Sequence, residues 1–119
     1  MNASQIEKLV VSALEDIKGK DIETIDTSRL TPLFERIVVA TGDSNRQVRA
    51  LARNVQDKSR GAGVEILSTE GEDAGEWILV DLGDVIVHIM QPAVRNYYKL
   101  EELWNSRNRP PLPNLPAGA

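Results

Sequence analysis

Asp81, Asp84 and His88 are the residues of this chain whose types best suit acid–base or metal chemistry. Asp84 and His88 stand four apart, which on an extended strand puts them on one face, about 13 Å apart along it. That separation is too long for a direct hydrogen bond or for sharing one metal ion. Asp81 and Asp84 flank a turn, where carboxylates commonly accept backbone N–H bonds. Turn capping and a polar surface on the sheet therefore account for all three. A second candidate, Ala40-Thr41-Gly42-Asp43-Ser44, has the look of a strand-turn-helix junction that could hold an anion. It lacks the repeated glycines and the lysine of a phosphate-binding loop, so helix initiation explains it better. The chain has no cysteine and a single histidine, which excludes disulfides, thiolate chemistry and a His-rich metal site. With no Ser/His/Asp set, metal-ligand cluster or nucleotide loop, the chain does not look like an enzyme, and no cofactor is expected.

Binding residues are better candidates. Arg46, Arg49, Arg53 and Arg60 fall on one side of a helical wheel, opposite Val48, Leu51, Ala52 and Val55. Such a stripe can track a phosphate backbone, and it is also the ordinary solvated face of a half-buried helix. RNA contact through Arg46, Arg49 and Arg53 is held as a secondary expectation. The rings are scarce and clustered: Trp77, Tyr97, Tyr98 and Trp104 are four of only five in the chain. Large rings next to carboxylates such as Asp81, Glu101 and Glu102 suit a protein-binding patch. They also suit a core shared by a hairpin and a helix, and the sequence leaves the two roles open, ring by ring.

The elements that must position these residues follow from periodicity. Ser4-Gln5-Ile6-Glu7 fits a capping box, and Ile6, Leu9, Val10, Ala13, Leu14 and Ile17 continue as a helical stripe that stops at Lys18-Gly19. Asp21 to Asp26 is expected as a short strand near an edge. Glu35 to Thr41 is expected as a strand covered on both faces, because its second half is a continuous apolar, largely β-branched run. Ser44-Asn45-Arg46-Gln47 forms a second capping box and opens a second helix, ended by Gly61-Ala62-Gly63. Val64 to Leu67 is expected as another strand, followed by the acidic loop from Glu70 to Glu76. Trp77 to Leu82 and Asp84 to Met90 then make an antiparallel hairpin around Gly83. Pro92 suits the first turn of a last helix. The order α-β-β-α-β-β-β-α implies a mixed α+β (α/β) domain over residues 1–104, with its helices packed against a mixed sheet. Residues 105–119, polar and proline-rich, are expected to form a flexible tail.

The chain of 119 residues is one domain in length and carries a net charge of −4. An acidic domain is a poor general binder of nucleic acid and a better electrostatic match for a basic protein. The first residues lack the basic-then-apolar pattern of a signal peptide, and the longest apolar runs fall well short of the ~20 residues that span a bilayer. A soluble cytoplasmic protein, with no membrane and no small-molecule substrate, is the expectation.

The chain resembles the Iojap family, whose bacterial members are the ribosomal silencing factors. Lys20-Asp21-Ile22, Val38-Val39-Ala40-Thr41-Gly42, Ser44-Asn45-Arg46-Gln47-Val48, Glu70-Gly71 and Glu76-Trp77 carry the resemblance, with the run from Asp81 to His88, Arg95 to Tyr98, and Leu100-Glu101 to Leu103-Trp104. It extends from about Ile6 to Trp104, and the run from Trp77 to His88 with the Tyr-x-Leu-Glu-x-Leu-Trp ending is its most specific part. One departure is Glu35, after Pro32-Leu33-Phe34, where the family pattern usually has Asp before the second strand. The resemblance implies a nucleotidyltransferase-like sheet of about five strands without that superfamily's catalytic residues. It also implies a homodimer and a partner in the large ribosomal subunit, its fourteenth protein in the standard naming, at the face where the subunits join. Occupying that face would block the small subunit and lower translation when nutrients are scarce. By motif match, Trp77, Asp81, Asp84, Tyr98, Glu101 and Trp104 are expected in the contact. The alternatives are an RNA-binding maturation factor for the large subunit and, less favoured, a residual nucleotidyltransferase-type enzyme.

Overall fold

The first helix starts earlier than its Ser4 box suggests. In the computed structural model, which describes residues 1–98, α1 spans Ala3–Asp16, and Asn2 is its N-cap. The Asn2 side chain accepts from Gln5 N at 2.8 Å, and the Gln5 side chain accepts from Asn2 N at 2.9 Å. Asparagine caps as well as serine does, and this start turns Ala3, Ile6, Val10, Ala13 and Leu14 inward while Ser4 stays exposed.

The remaining elements are β1 (Lys20–Asp26), β2 (Arg36–Thr41), α2 (Asn45–Gly61), β3 (Ser68–Glu70), β4 (Trp77–Asp81), β5 (Val85–Met90) and α3 (Pro92–Tyr98). The expected element order is therefore observed. Five strands form one mixed sheet in the order β1-β2-β5-β4-β3. β2 and β5 run parallel at its centre, and the other three pairings are antiparallel. The near-continuous apolar runs of β2 and β5 suit central strands covered on both faces. β1 lies at the edge as expected, with a bulge between Lys20 and Glu23 where Asp21 takes φ 47°.

β3 is displaced from its expected position. Val64 and Ile66 pack against the core without pairing, and the ladder with β4 runs only from Ser68 to Glu70. Pairing, rather than β-branched content, decides this. Leu67 N donates to Asp81 O at the end of β4, and Gly71 (φ 88°) turns the chain away after Glu70.

Side chains divide between the two sheet faces with period two. Val38, Ala40, Ile78, Val80, Val87 and Ile89 point to the face covered by α1 and α2, and with the stripes of those helices they form the main core. Ile37, Val39, Trp77, Ile86 and Met90 point to the other face, where Ile25 and Phe34 join them in a second cluster. Of the candidate binding residues, Trp77, Asp81 and Asp84 lie on or at the edge of this second face, and Arg46 and Arg53 on the outer side of α2.

Candidate functional site

The tip of the β4–β5 hairpin is a two-residue turn, Gly83-Asp84, closed by Leu82 N donating to Val85 O at 3.0 Å. Gly83 adopts φ 86°, a conformation that glycine enters without a Cβ penalty. Asp81 Oδ1 accepts from Gly83 N at 2.8 Å, so the turn-capping reading of Asp81 holds. The carbonyl of Asp84 accepts from both Glu35 N (2.8 Å) and Arg36 N (3.0 Å), welding the hairpin tip to the start of β2. Thr27, itself buried, donates its hydroxyl to Phe34 O and its N–H to Glu35 O. Those bonds hold Leu33 and Phe34 beside the start of β5.

A groove of about 570 Å³ lies between this segment and β3. Leu79, Ile86 and Phe34 line its base, and Leu33 and Leu67 stand on its walls. Leu33 is 79% exposed and Leu67 59%, unusual for residues of this size. Glu70, Asp81 and Asp84 border the groove, with Ser68 beside them. Apolar walls inside a rim of carboxylates can take an apolar side chain flanked by lysine or arginine.

His88 and Trp77 differ from the polar surface expected of the one and the open choice left for the other. His88 is fully buried, and its Nδ1 accepts a 2.9 Å hydrogen bond from the Trp77 indole N–H. The rings lie 5.7 Å apart at 48°. Burial lowers the His88 pKa to about 3. With Nδ1 accepting, neutral His88 carries its proton on Nε2, which has no hydrogen-bond partner among the described residues. Asp84 sits in the turn and not on the strand, so it and His88 form no pair. Trp77 is 3% exposed and packs within the second cluster.

The arginine stripe is divided. Arg46 and Arg53 are exposed, as expected of a solvated or RNA-facing side. Arg49 is half-buried, donating from Nε to Glu72 O at 2.9 Å and from Nη2 to Asp73 O. It pins the acidic loop and is not free to grip a phosphate. The second capping box is also modified. Ser44 caps Gln47 N at 3.1 Å, but the Gln47 side chain reaches Asp43 N rather than Ser44 N. Tyr98 is the last described residue of α3, and Glu101 and Trp104 lie outside the described residues, as does the expected tail.

Leu33, Phe34 and Leu67 escaped sequence reasoning as site residues, Leu33 and Phe34 because they stand outside any periodic run and Leu67 because it was expected within a strand; only proximity in the fold makes them a surface. Arg95 escaped it too. It is 8% exposed and donates from Nη1 to Thr41 Oγ1 at 2.8 Å and to Asp21 O, tying α3 to the bulge of β1. Among the described residues no three His, Cys, Asp or Glu side chains are grouped to hold a metal.

Comparison with known proteins bears on this arrangement. The family described as ribosomal silencing factor during starvation, RsfS, matches residues 1–118. The chain belongs to the RsfS family. It is 57% identical over 119 residues to the ribosomal silencing factor RsfS of Chromobacterium violaceum, covering all of this chain and 94% of that one. It is 36% identical to the RsfS of Bacillus subtilis, covering 99% of this chain and 98% of that one. A crystal structure of a Chromobacterium violaceum protein, 57% identical, superimposes with a TM-score of 0.87 and covers 100% of this chain and 96% of that one. Both RsfS relatives match this chain nearly end to end, so the groove, the hairpin and α2 all fall inside the matched region.

Proposed function

We propose that this RsfS-family chain represses translation by docking on the large ribosomal subunit and keeping the small subunit away. The acidic-rimmed apolar groove carries this reading. It offers exposed leucine walls and three carboxylates to a basic protein surface, and ribosomal proteins meet RNA with surfaces of that sign. The docking partner is the fourteenth protein of the large subunit, at the face where the subunits join. Asp81 and Asp84 contribute from the groove rim, Tyr98, Glu101 and Trp104 from the C-terminal segment, and Trp77 supports the face from within the core. A standard interface needs only ~800 Å² per partner. A body of 36 × 32 × 24 Å anchored over such an area then obstructs joining by bulk.

No reaction is part of this mechanism, and the protein acts in the cytoplasm, where the ribosomes are. The homodimer that the resemblance implies belongs to the same proposal, and light scattering on the purified chain measures it. The deciding experiment mixes the protein with isolated large and small subunits and follows formation of the joined ribosome in a sucrose gradient. The wild type is expected to sediment with large subunits and to slow joining. Asp84→Lys with Leu33→Glu is expected to weaken large-subunit binding at least tenfold, about 1.4 kcal/mol. Both positions are exposed, so stability should change little. Joining at an unchanged rate in the presence of saturating wild-type protein sinks the proposal.

A further inference from the structure

We infer that the outer face of α2 is a second contact surface, which takes RNA phosphates while the groove holds its protein partner; this rests on the ribosomal reading above. Charge is segregated in this molecule. α2 carries Arg46, Arg49, Arg53, Lys58 and Arg60 against a single Asp57, a formal +4 in a chain whose net charge is −4. The rest of the chain therefore stands at −8.

The fold accounts for only some of these cations. The buried side of α2, Val48, Leu51, Ala52 and Val55, is what seats the helix. Arg49 is engaged with the acidic loop, and Arg60 shares Asp57 at 3.6 Å. Arg46 and Arg53 are exposed, and among the described residues neither has an ion-pair or hydrogen-bond partner. Arg46 also lies in the first turn of the helix, which holds no acidic residue, where the helix dipole disfavours a positive charge. A residue kept where the helix itself disfavours it points to something outside the chain. Arg46, Arg53 and Arg60 recur every seven residues, about 10.5 Å apart along the axis and nearly in line. That row suits the backbone of a nucleic acid rather than a single anion. α2 covers one face of the sheet and the groove opens on the other, so both surfaces can be occupied together.

The test is co-sedimentation of the full chain with isolated large subunits over a series of salt concentrations. Arg46→Glu with Arg53→Glu should bind several-fold more weakly at low salt, with the slope of log affinity against log salt shallower by about two. Leu33→Ala, in the groove, should lose affinity with the slope unchanged. Wild-type affinity and slope in the arginine variant overturn the inference. So does a loss of affinity with no change in slope, which assigns the stripe to a protein contact. If the wild type binds no subunits, the ribosomal reading itself fails. A short RNA duplex in fluorescence anisotropy then decides the α2 surface: salt-sensitive binding lost in the arginine variant keeps it, and no binding overturns it.

Discussion

Burial, not the company of a carboxylate, sets the chemistry of His88. Its ring lies in an apolar cluster with Ile37, Val39, Ile86 and Met90 nearby, and its pKa is pushed down to about 3. The unfolded chain takes up a proton there near pH 6.5, the ordinary histidine value. The folded chain refuses that proton until about pH 3. Stability is thus full above pH 6.5 and falls as the pH drops towards 3, by up to about 1.4 kcal/mol per pH unit. His88→Leu should remove this slope while costing about 1–3 kcal/mol at neutral pH, because the Trp77 N–H loses its acceptor. Urea unfolding at several values between neutral and mildly acidic pH compares the two, and equal slopes would refute the assignment. The depressed pKa also means that His88 stays neutral in the physiological range. It packs and orients Trp77; it does not sense pH.

At the scale of elements, the β3–β4 connection is the most constrained piece of backbone. A Cβ on Gly71 would fall 2.0 Å from the Trp77 carbonyl oxygen, and its φ of 88° disfavours any other residue. Arg49 and Gln91 hold the same loop from outside, Arg49 through the Glu72 and Asp73 carbonyls and Gln91 through the Gly75 carbonyl at 3.1 Å. Gly71→Ala should cost at least ~2 kcal/mol, from the left-handed backbone and the displaced strand together. Chemical denaturation measures it, and a loss below half a kcal/mol would show that the loop yields. Here the limits of pattern reading are visible. The acidic loop expected from Glu70 to Glu76 is there, beginning one residue later, after Glu70 ends β3. The strand before it was expected over Val64–Leu67 because those residues are apolar, yet the ladder begins at Ser68. Apolar content records burial, and Val64 and Ile66 are indeed packed on the core. Hydrogen-bond register depends on where the partner strand ends, which no local pattern encodes.

For the whole molecule, one sheet with α1 and α2 on one face and an open groove on the other explains how an acidic chain can present two unlike surfaces. The tail expected over residues 105–119 bears on this only as a prediction. A chain ending after Trp104 should bind large subunits with affinity within about twofold of the full chain, since its composition favours solvent over packing. Co-sedimentation of the two forms measures it, and a tenfold loss would bring the segment into the contact. Among the described residues no helix is long and apolar enough to cross a membrane.

Element types and order, the edge position of β1, the coverage of β2 on both faces and the antiparallel hairpin were all determined by the sequence alone. Each depends on contacts between near neighbours or on the period of apolar residues, which the chain carries locally. Family membership was equally legible, through motifs at matching spacing. Only the tertiary structure decided that Leu33 and Phe34 on one stretch and Leu67 on another, distant one meet over Leu79 and Ile86 to form the groove. It alone decided that Trp77 and His88 share a buried hydrogen bond, and that Arg49 serves a loop more than twenty residues away. Those outcomes depend on strand order and register, where residues distant along the chain are brought within a few ångströms. Periodicity reports which way a side chain faces and is silent about what it finds there.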